Sequence, residues 1–144
     1  MAFPTAISLV TLGVRSVPAA SAFYERLGFT RSCASVEGEV SFLRTPGVVL
    51  ALWGEADLAA DARQEPRRSG FRGVALALNV ASGVDVDRAL AAAAAAGASI
   101  ARPGTATDWG GYSGYFADLD GHLWEVAHNP FWPLDERGLP TLPD

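Results

Sequence analysis

The sequence predicts an α+β fold built from two repeated βαβββ modules whose mixed sheets cup a central pocket. Two observations support this prediction: a strand–helix–strand pattern occurs twice, and each predicted helix ends at a glycine. The chain has 144 residues, 49% of them hydrophobic, which is enough for one domain with a packed core. The predicted segments are module 1 (5–54), a linker (55–70), module 2 (71–128) and a Pro-rich tail (129–144).

The first module begins with residues 7–14, whose alternation predicts a strand. A helix should follow, because an N-cap residue, a first-turn proline and a terminal glycine come next in that order. These residues are Ser16, Pro18 and Gly28. Two more strands are predicted over residues 33–43 and 48–53. The polar residues after them predict a linker, with a flexible lid as the alternative.

The second module repeats the same pattern. Residues 74–80 alternate as a strand, and Asp85 and Asp87 then suit the N-terminus of a helix that runs through the alanines to Gly97. A module of this kind would leave one sheet face uncovered if it stood alone, so two modules should combine. The two halves correspond at three pairs of positions: Leu12 and Leu78, Gly28 and Gly97, Leu52 and Val126.

The first strand of each module has two different faces. One face carries large apolar side chains and should bury against the helices. These residues are Val10, Leu12 and Val14 in the first module, and Val74, Leu76, Leu78 and Val80 in the second. The opposite face carries small or mixed side chains, which should line either a second packed layer or a cavity. They are Leu9, Thr11 and Gly13, and Ala75, Ala77 and Asn79.

Glu125 is the best candidate for a functional polar residue. Residues 112–117 and 122–127 form a predicted hairpin around an Asp-Leu-Asp-Gly turn, and a bulge at Gly121 would set Tyr115 opposite Glu125. A carboxylate among apolar neighbours requires a raised pKa or a partner. These two residues are therefore the candidate catalytic pair. A glutamate that is hydrogen-bonded for structure only is the alternative.

Several aromatic side chains are expected near this carboxylate. Any one of them could be ordinary core, but several together favour a site for a flat or apolar ligand. The predicted ligand-binding residues are Leu9, Thr11, Ala51, Trp53, Ala75, Ala77, Asn79, Trp109, Tyr112 and Ala127.

Composition argues against several classes of protein. The net charge is −5 and no basic cluster is present, so we expect no nucleic-acid partner. No apolar run approaches the length of a membrane span, and we expect a cytoplasmic protein that does not bind membranes. The single cysteine, Cys33, rules out an internal disulfide and is expected in or near a strand.

Two motifs resemble the vicinal oxygen chelate superfamily, also called the glyoxalase/bleomycin-resistance/extradiol-dioxygenase family. One motif is Val14-x-Ser16 followed by Phe23 to Phe29, and the other, more specific, runs from Phe116 to Val126. The resemblance implies paired βαβββ modules, a homodimer, and a divalent metal held by four residues. Carried over to this sequence, those four positions are Leu9, Ala51, Ala75 and Glu125.

This set of residues departs from the family pattern, because leucine and alanine side chains have no donor atoms. His122 and His128 each lie three residues from Glu125 and should point to the other face. We therefore expect no metal or other cofactor, and a protein that binds or sequesters a small organic molecule. The alternative is a metal-independent lyase or isomerase of glyoxalase type that uses Glu125 as general acid or base, with Tyr115 as a neutral donor. A metal-dependent glyoxalase or dioxygenase, and a regulatory or scaffold protein with no ligand, are the remaining alternatives.

Overall fold

The computed structural model describes residues 2–66 and 70–144. The chain divides into two compact units, Met1–Arg68 and Ser69–Asp144, each with a four-stranded mixed sheet and helices. The predicted α+β class is therefore confirmed. In the described residues no helix has the length and apolar character needed to cross a membrane.

In the first unit the sheet order is β1-β4-β3-β2, with β1 and β4 parallel and the other neighbours antiparallel. Its elements are β1 (Leu9–Val14), α1 (Val17–Arg26), β2 (Thr30–Arg31), β3 (Val40–Arg44), β4 (Val49–Gly54) and α2 (Glu55–Asp61).

The second unit has the equivalent order β5-β8-β7-β6, again with one parallel pair, β5 and β8. Its elements are β5 (Ala75–Asn79), α3 (Gly83–Ala96), β6 (Ser99–Ala106), β7 (Tyr112–Ala117) and β8 (Leu123–His128).

The strand register supports the predicted repeat. Leu12 pairs with Leu52 across β1 and β4, and Leu78 pairs with Val126 across β5 and β8. These are two of the three correspondences that the sequence predicts, and they occupy the same place in the two sheets. The third also holds, because Gly28 and Gly97 both follow a helix with positive φ angles of 100° and 116°.

Both long helices begin at serine caps and pack on one face of their sheet. Ser16 Oγ accepts a hydrogen bond from the Ala19 N–H at 3.2 Å, and Ser82 Oγ accepts from the Asp85 N–H at 3.1 Å. The apolar side chains that these helices and their strands bury include Leu12, Val14, Phe23, Tyr24, Leu52, Val86, Leu90 and Val126. Of the faces expected to meet the helices, Leu12 and Val14 are buried, and Leu76 and Leu78 share a face with the buried Trp124 and Val126, whereas Val74 is exposed.

Three predicted strand boundaries are wrong. Residues 33–39 form turns between β2 and β3, where the Phe42 N–H bonds to Ser35 Oγ, and Cys33 is exposed in this loop. Ile7 precedes β1 and is 74% exposed, and Val74 precedes β5 and is 64% exposed. Local side-chain hydrogen bonds compete with strand pairing in the serine-containing loop, and strand ends fray where no neighbour continues the ladder.

The predicted linker, residues 55–70, is not all loop. Residues Glu55–Asp61 form α2, which packs against β1 and β4. Gly13 of β1 lies next to this helix: a Cβ there would be 3.4 Å from Glu55 Cα and from Leu58 Cδ2, which is ordinary contact distance. The linker's residues 67–69 lie outside the described residues.

The Pro-rich tail folds back on itself. Leu134 and Pro140 form an antiparallel bridge, and Asp135 Oδ1 accepts the N–H groups of Arg137 at 2.8 Å and Leu139 at 2.9 Å. The bond from the Leu139 N–H is the main reason that the pKa of Asp135 lies below its ordinary value.

The turn between β7 and β8 is the type I turn that the sequence predicts. The Gly121 N–H bonds to the Asp118 carbonyl at 3.1 Å, and Gly121 itself has a φ of 81°. Only glycine adopts this backbone conformation without strain.

We predict that Gly121→Ala lowers the free energy of unfolding by about 1 kcal/mol, because a Cβ is disfavoured at positive φ. Gly13→Ala is the matched control: its Cβ would be at ordinary contact distance, so no loss is expected. Urea denaturation followed by tryptophan fluorescence measures both. Equal losses in the two variants would contradict the prediction.

Candidate functional site

The sheet of the second unit has two unlike faces. On the α3 side, Gly114 lies against Leu90, and Phe116 stacks on Trp124 with ring centres 6.0 Å apart. The opposite face carries the candidate residue Glu125 and is called the Glu125 face below. Its residues are Ala75, Ala77, Asn79, Arg102, Ser113, Tyr115, Ala117, Leu123, Glu125 and Ala127.

Strand register aligns four residues of this face in one row across the sheet. Arg102 pairs with Tyr115 across β6 and β7, Tyr115 pairs with Glu125 across β7 and β8, and Glu125 pairs with Ala77 across β8 and β5. Directly paired side chains on one face lie close enough to interact. A cation, a phenol and a carboxylate are thus neighbours in that order.

Tyr115 supplies the partner that Glu125 was expected to need. The Tyr115 hydroxyl donates to Glu125 Oε2 at 3.1 Å, and both residues are half-buried. Burial raises the pKa of Tyr115 above its ordinary value, and the bond to Glu125 and its negative charge raise it further, while Arg102 acts in the opposite sense. The phenol therefore keeps its proton at neutral pH and acts as a donor.

Arg102 is the residue that sequence reasoning missed. Its Nη2 donates to Ser113 Oγ at 2.7 Å, and its guanidinium carbon lies 5.2 Å from the centre of the Tyr115 ring. A guanidinium within about 6 Å of the centre of an aromatic ring makes a favourable cation–π interaction. The bond to Ser113, which is only 1% exposed, also satisfies a buried hydroxyl.

Small side chains surround the polar row on β5 and β8. Ala75 pairs with Leu123, Ala77 with Glu125 itself, and Asn79 with Ala127. Ala75 and Ala77 are exposed, whereas Ala127 is buried. The carboxylate of Glu125 therefore has a tyrosine on one side and a methyl group on the other.

Tyr112 and Trp109, two of the predicted ligand-binding residues, do not lie on the Glu125 face. Tyr112 lies on the α3 face, where its hydroxyl donates to Asp87 Oδ1 at 2.9 Å, because the register that sets Tyr115 on the Glu125 face sets Tyr112 opposite. Trp109 lies in the turn before β7, with its ring against Gly111, and is 47% exposed.

The remaining predicted residues lie on the first sheet, on the face opposite α1. Thr11 pairs with Ala51, and Trp53 pairs with Gly13. Leu9 is 44% exposed, while Ala51 is buried. Helix α2 packs on this same face. The evidence is that a Cβ on Gly13 would point to this side of the sheet and lie next to Glu55 and Leu58.

The first unit also contains a cavity of about 240 Å³ beside α1, among Val17, Ser21, Glu25, Arg31, Glu37 and Ser41. It includes none of the predicted site residues. Its arginine is already paired with Glu37 at 3.3 Å and bonded to Ser41 at 3.1 Å, and the Ser21 and Ser41 hydroxyls bond to each other. These polar groups satisfy one another.

The residues present do not fit the divalent metal that the family resemblance implies. Three of the four equivalent positions carry aliphatic side chains, and no group of three His, Cys, Asp or Glu residues in the described ranges could hold an ion. His122 Nδ1 lies 3.2 Å from Arg72, and His128 Nδ1 lies 3.2 Å from the Val80 carbonyl oxygen. His128 is on the α3 face, as its spacing from Glu125 predicts.

We predict that Glu125→Gln lowers the pKa of Tyr115, because it removes a negative charge and a strong acceptor. In the native protein Tyr115 should lose its proton only above its ordinary value of 10.0. The folded state then holds a proton that the unfolded chain releases, so stability falls as pH rises from about 10 through the folded pKa. NMR of ¹³C-labelled tyrosine measures this titration.

Tyr112 is the internal control for this titration, since Asp87 raises its pKa and Glu125 does not contribute. Glu125→Gln should leave the Tyr112 curve unchanged. A Tyr115 curve that is the same in native protein and variant would show that the hydrogen bond to Glu125 is not formed in solution.

Comparison with known proteins agrees with this fold. The model of the Glyoxalase/Bleomycin resistance protein/Dioxygenase superfamily matches residues 6–126. A glyoxalase-related enzyme from Fulvimarina pelagi is 35% identical, with a TM-score of 0.86 over 96% of this chain and 99% of that one. A glyoxalase/bleomycin resistance protein/dioxygenase from Nocardioides is 27% identical, with a TM-score of 0.71 over 89% and 85%.

A lactoylglutathione lyase from Agrobacterium tumefaciens shares the fold at 23% identity, with a TM-score of 0.68 over 92% of this chain and 99% of that one. No protein with a curated description matches the sequence significantly. The family model covers most of the chain, and the relative from Fulvimarina pelagi covers nearly all of it. The chain therefore belongs to the glyoxalase/bleomycin resistance protein/dioxygenase superfamily.

Proposed function

We propose that this protein binds a small, partly aromatic or apolar organic molecule on the Glu125 face, without a metal. The observation that carries the proposal is the hydrogen bond of 3.1 Å between the Tyr115 hydroxyl and Glu125 Oε2, set beside exposed alanines. Small-molecule sites typically combine apolar walls with a few polar groups that fix orientation. The Tyr115 ring, Ala75 and Ala77 would supply the apolar surface here.

The pair suits a ligand with a hydroxyl, amine or carbonyl group. Glu125 has further lone pairs that accept from a ligand, and the Tyr115 hydroxyl donates to a carbonyl once it turns from the carboxylate. Both groups are half-buried, and a hydrogen bond to an ionised group in such surroundings is stronger than one in water. The residue types at the family's four metal positions support binding that does not depend on an ion.

A metal-independent reaction is the second candidate, and the glyoxalase-related enzyme from Fulvimarina pelagi at 35% identity favours it. Glu125 would take a proton from the carbon next to a carbonyl, and the C–H electrons would form an enolate. Tyr115 would donate a hydrogen bond to the enolate oxygen. In a β,γ-unsaturated ketone the enolate is a dienolate, and return of the same proton from Glu125 to its γ carbon moves the double bond into conjugation, which completes an isomerisation without another reactant. A homodimer and a cytoplasmic location remain predictions for this chain.

We predict that Tyr115→Phe weakens ligand binding about tenfold, since one hydrogen bond to an ionised or polar group is worth roughly 1.4 kcal/mol. Saturation-transfer NMR with a set of small aromatic and aliphatic alcohols, amines and ketones identifies ligands, and calorimetry gives their affinities. Tyr112→Phe is the matched control, because that tyrosine also donates to a carboxylate but on the α3 face. Equal weakening by both variants would refute a site on the Glu125 face.

Glu125→Gln separates binding from catalysis. If the protein is an enzyme, ketones bound by the native protein should exchange hydrogen for deuterium in D₂O at the carbon next to the carbonyl. Glu125→Gln should abolish this exchange, while Asp87→Asn should leave it intact. Binding without exchange in the native protein supports the binder, and exchange that persists in Glu125→Gln excludes Glu125 as the base.

A further inference from the structure

From Arg102 we infer that the ligand of the Glu125 face is a small monocarboxylate, whose carboxylate is held by that arginine while its far end meets the Tyr115–Glu125 pair. This inference rests on the proposed function and adds the chemical class of the ligand. It also adds a specificity-determining residue. The argument depends on the position of the guanidinium, its free donors and its charge.

The guanidinium is held in place before any ligand arrives. Its Nη2 bonds to the buried Ser113 hydroxyl at 2.7 Å, and its guanidinium carbon lies over the Tyr115 ring, 5.2 Å from the ring centre. A cation fixed in this way loses little side-chain entropy when it binds an anion. Arg102 is in the same row as Tyr115 and Glu125, so a molecule bound to the pair lies within its reach.

The charge of Arg102 has no counterion in the described part of the chain. Three other arginines there do: Arg31 pairs with Glu37 at 3.3 Å, Arg88 with Asp85 at 3.5 Å, and Arg137 with Asp135 at 3.6 Å. Those pairs are largely exposed, where an ion pair contributes little. Arg102 is half-buried, so its charge has lost part of its hydration without gaining an opposite charge. A bound anion would compensate for that loss.

The donors suit a carboxylate. An arginine has five N–H donors in a planar fork, and Ser113 accepts from one of them. The fork that remains matches the two oxygens of a carboxylate. Glu125 in the same row disfavours a second negative charge, which argues against a dianionic phosphate. Arg102 and Glu125 are two strand spacings apart, about 10 Å between Cα atoms, so the ligand should be about one aromatic ring with polar groups at both ends.

The test uses para-hydroxybenzoate and its neutral analogue para-hydroxybenzamide as probes of native protein. We expect the carboxylate to bind at least tenfold more tightly than the amide by calorimetry. It should also shift the Arg102 Nε–H resonance in ¹H–¹⁵N NMR. Arg102→Gln should remove the preference, so that the affinities for the carboxylate and the amide lie within about twofold of each other. Arg88→Gln, an exposed arginine on α3, is the matched control and should keep the preference.

Arg102→Lys provides a second variant in case glutamine disturbs the fold around Ser113. It keeps the charge and loses the fork, so its preference for the carboxylate should lie between those of the native protein and Arg102→Gln. The NMR shift in native protein needs no variant at all.

The outcomes separate this inference from the proposed function. Equal affinity for the carboxylate and the amide overturns the inference and leaves a binding function standing. Absence of saturable binding by para-hydroxybenzoate at millimolar concentration overturns the inference too, and other ligands found by the NMR survey would still support a binder. If Arg102→Gln still prefers the carboxylate to the amide, the carboxylate binds away from Arg102 and the inference is wrong. Displacement of para-hydroxybenzoate by equimolar inorganic phosphate would rule out selectivity for a carboxylate.

Discussion

The side chain of Asp118 stabilises the turn between β7 and β8, and the candidate site depends on the strand register that this turn sets. Asp118 Oδ1 accepts the N–H groups of Asp120 at 2.9 Å and of His122 at 2.8 Å, and Gly121 completes the turn. This turn sets the register that pairs Tyr115 with Glu125. A slip of one residue would move Glu125 to the α3 face, into the space that Trp124 and Val126 fill. The chemistry of the face is thus a consequence of turn geometry.

The two units have the same parallel strand pair, β1 with β4 and β5 with β8, but different side chains at the equivalent positions. In the first sheet Ala51 pairs with Thr11 at the position where, in the second sheet, Glu125 pairs with Ala77. Both sheets hold their parallel strands through equivalent buried residues, Leu52 and Val126. The equivalent of Glu125 in the first unit is a buried methyl group, so the repeated architecture does not imply repeated chemistry. Among the described residues, the row of cation, phenol and carboxylate occurs in the second unit and not in the first.

The sequence predicted those features that depend on local chemistry. Serine caps, terminal glycines and the turn before β8 are read from a few adjacent residues, and the pairing of Tyr115 with Glu125 follows from that turn. The sequence did not indicate β6, because Pro103 and Gly104 lie within it and two register shifts break its alternation. Arg102 lies between those shifts, so its face could not be inferred from spacing.

Helix α2 and the placement of Tyr112 were missed for a different reason. Polar residues after β4 resemble a linker, and only the contact of Glu55 and Leu58 with Gly13 on another strand shows that a helix packs there. Tyr112 was grouped with nearby aromatics, although strand alternation separates it from Tyr115. Contacts between distant segments decide the position of α2, and a single sequence contains no direct record of such contacts. Strand alternation alone decides the face of Tyr112, because residues three apart on one strand point to opposite faces.

The row Arg102–Tyr115–Glu125 also constrains how a charged ligand would be accommodated. Without a ligand the phenol between the cation and the carboxylate is neutral, because burial and Glu125 raise its pKa. A carboxylate on Arg102 would offset the positive charge that lowers the pKa of Tyr115, and its own negative charge would raise that pKa further. The phenol would therefore be held more firmly in its protonated form. Binding an anion at one end of the row would thus strengthen the role of Tyr115 as a donor at the other end.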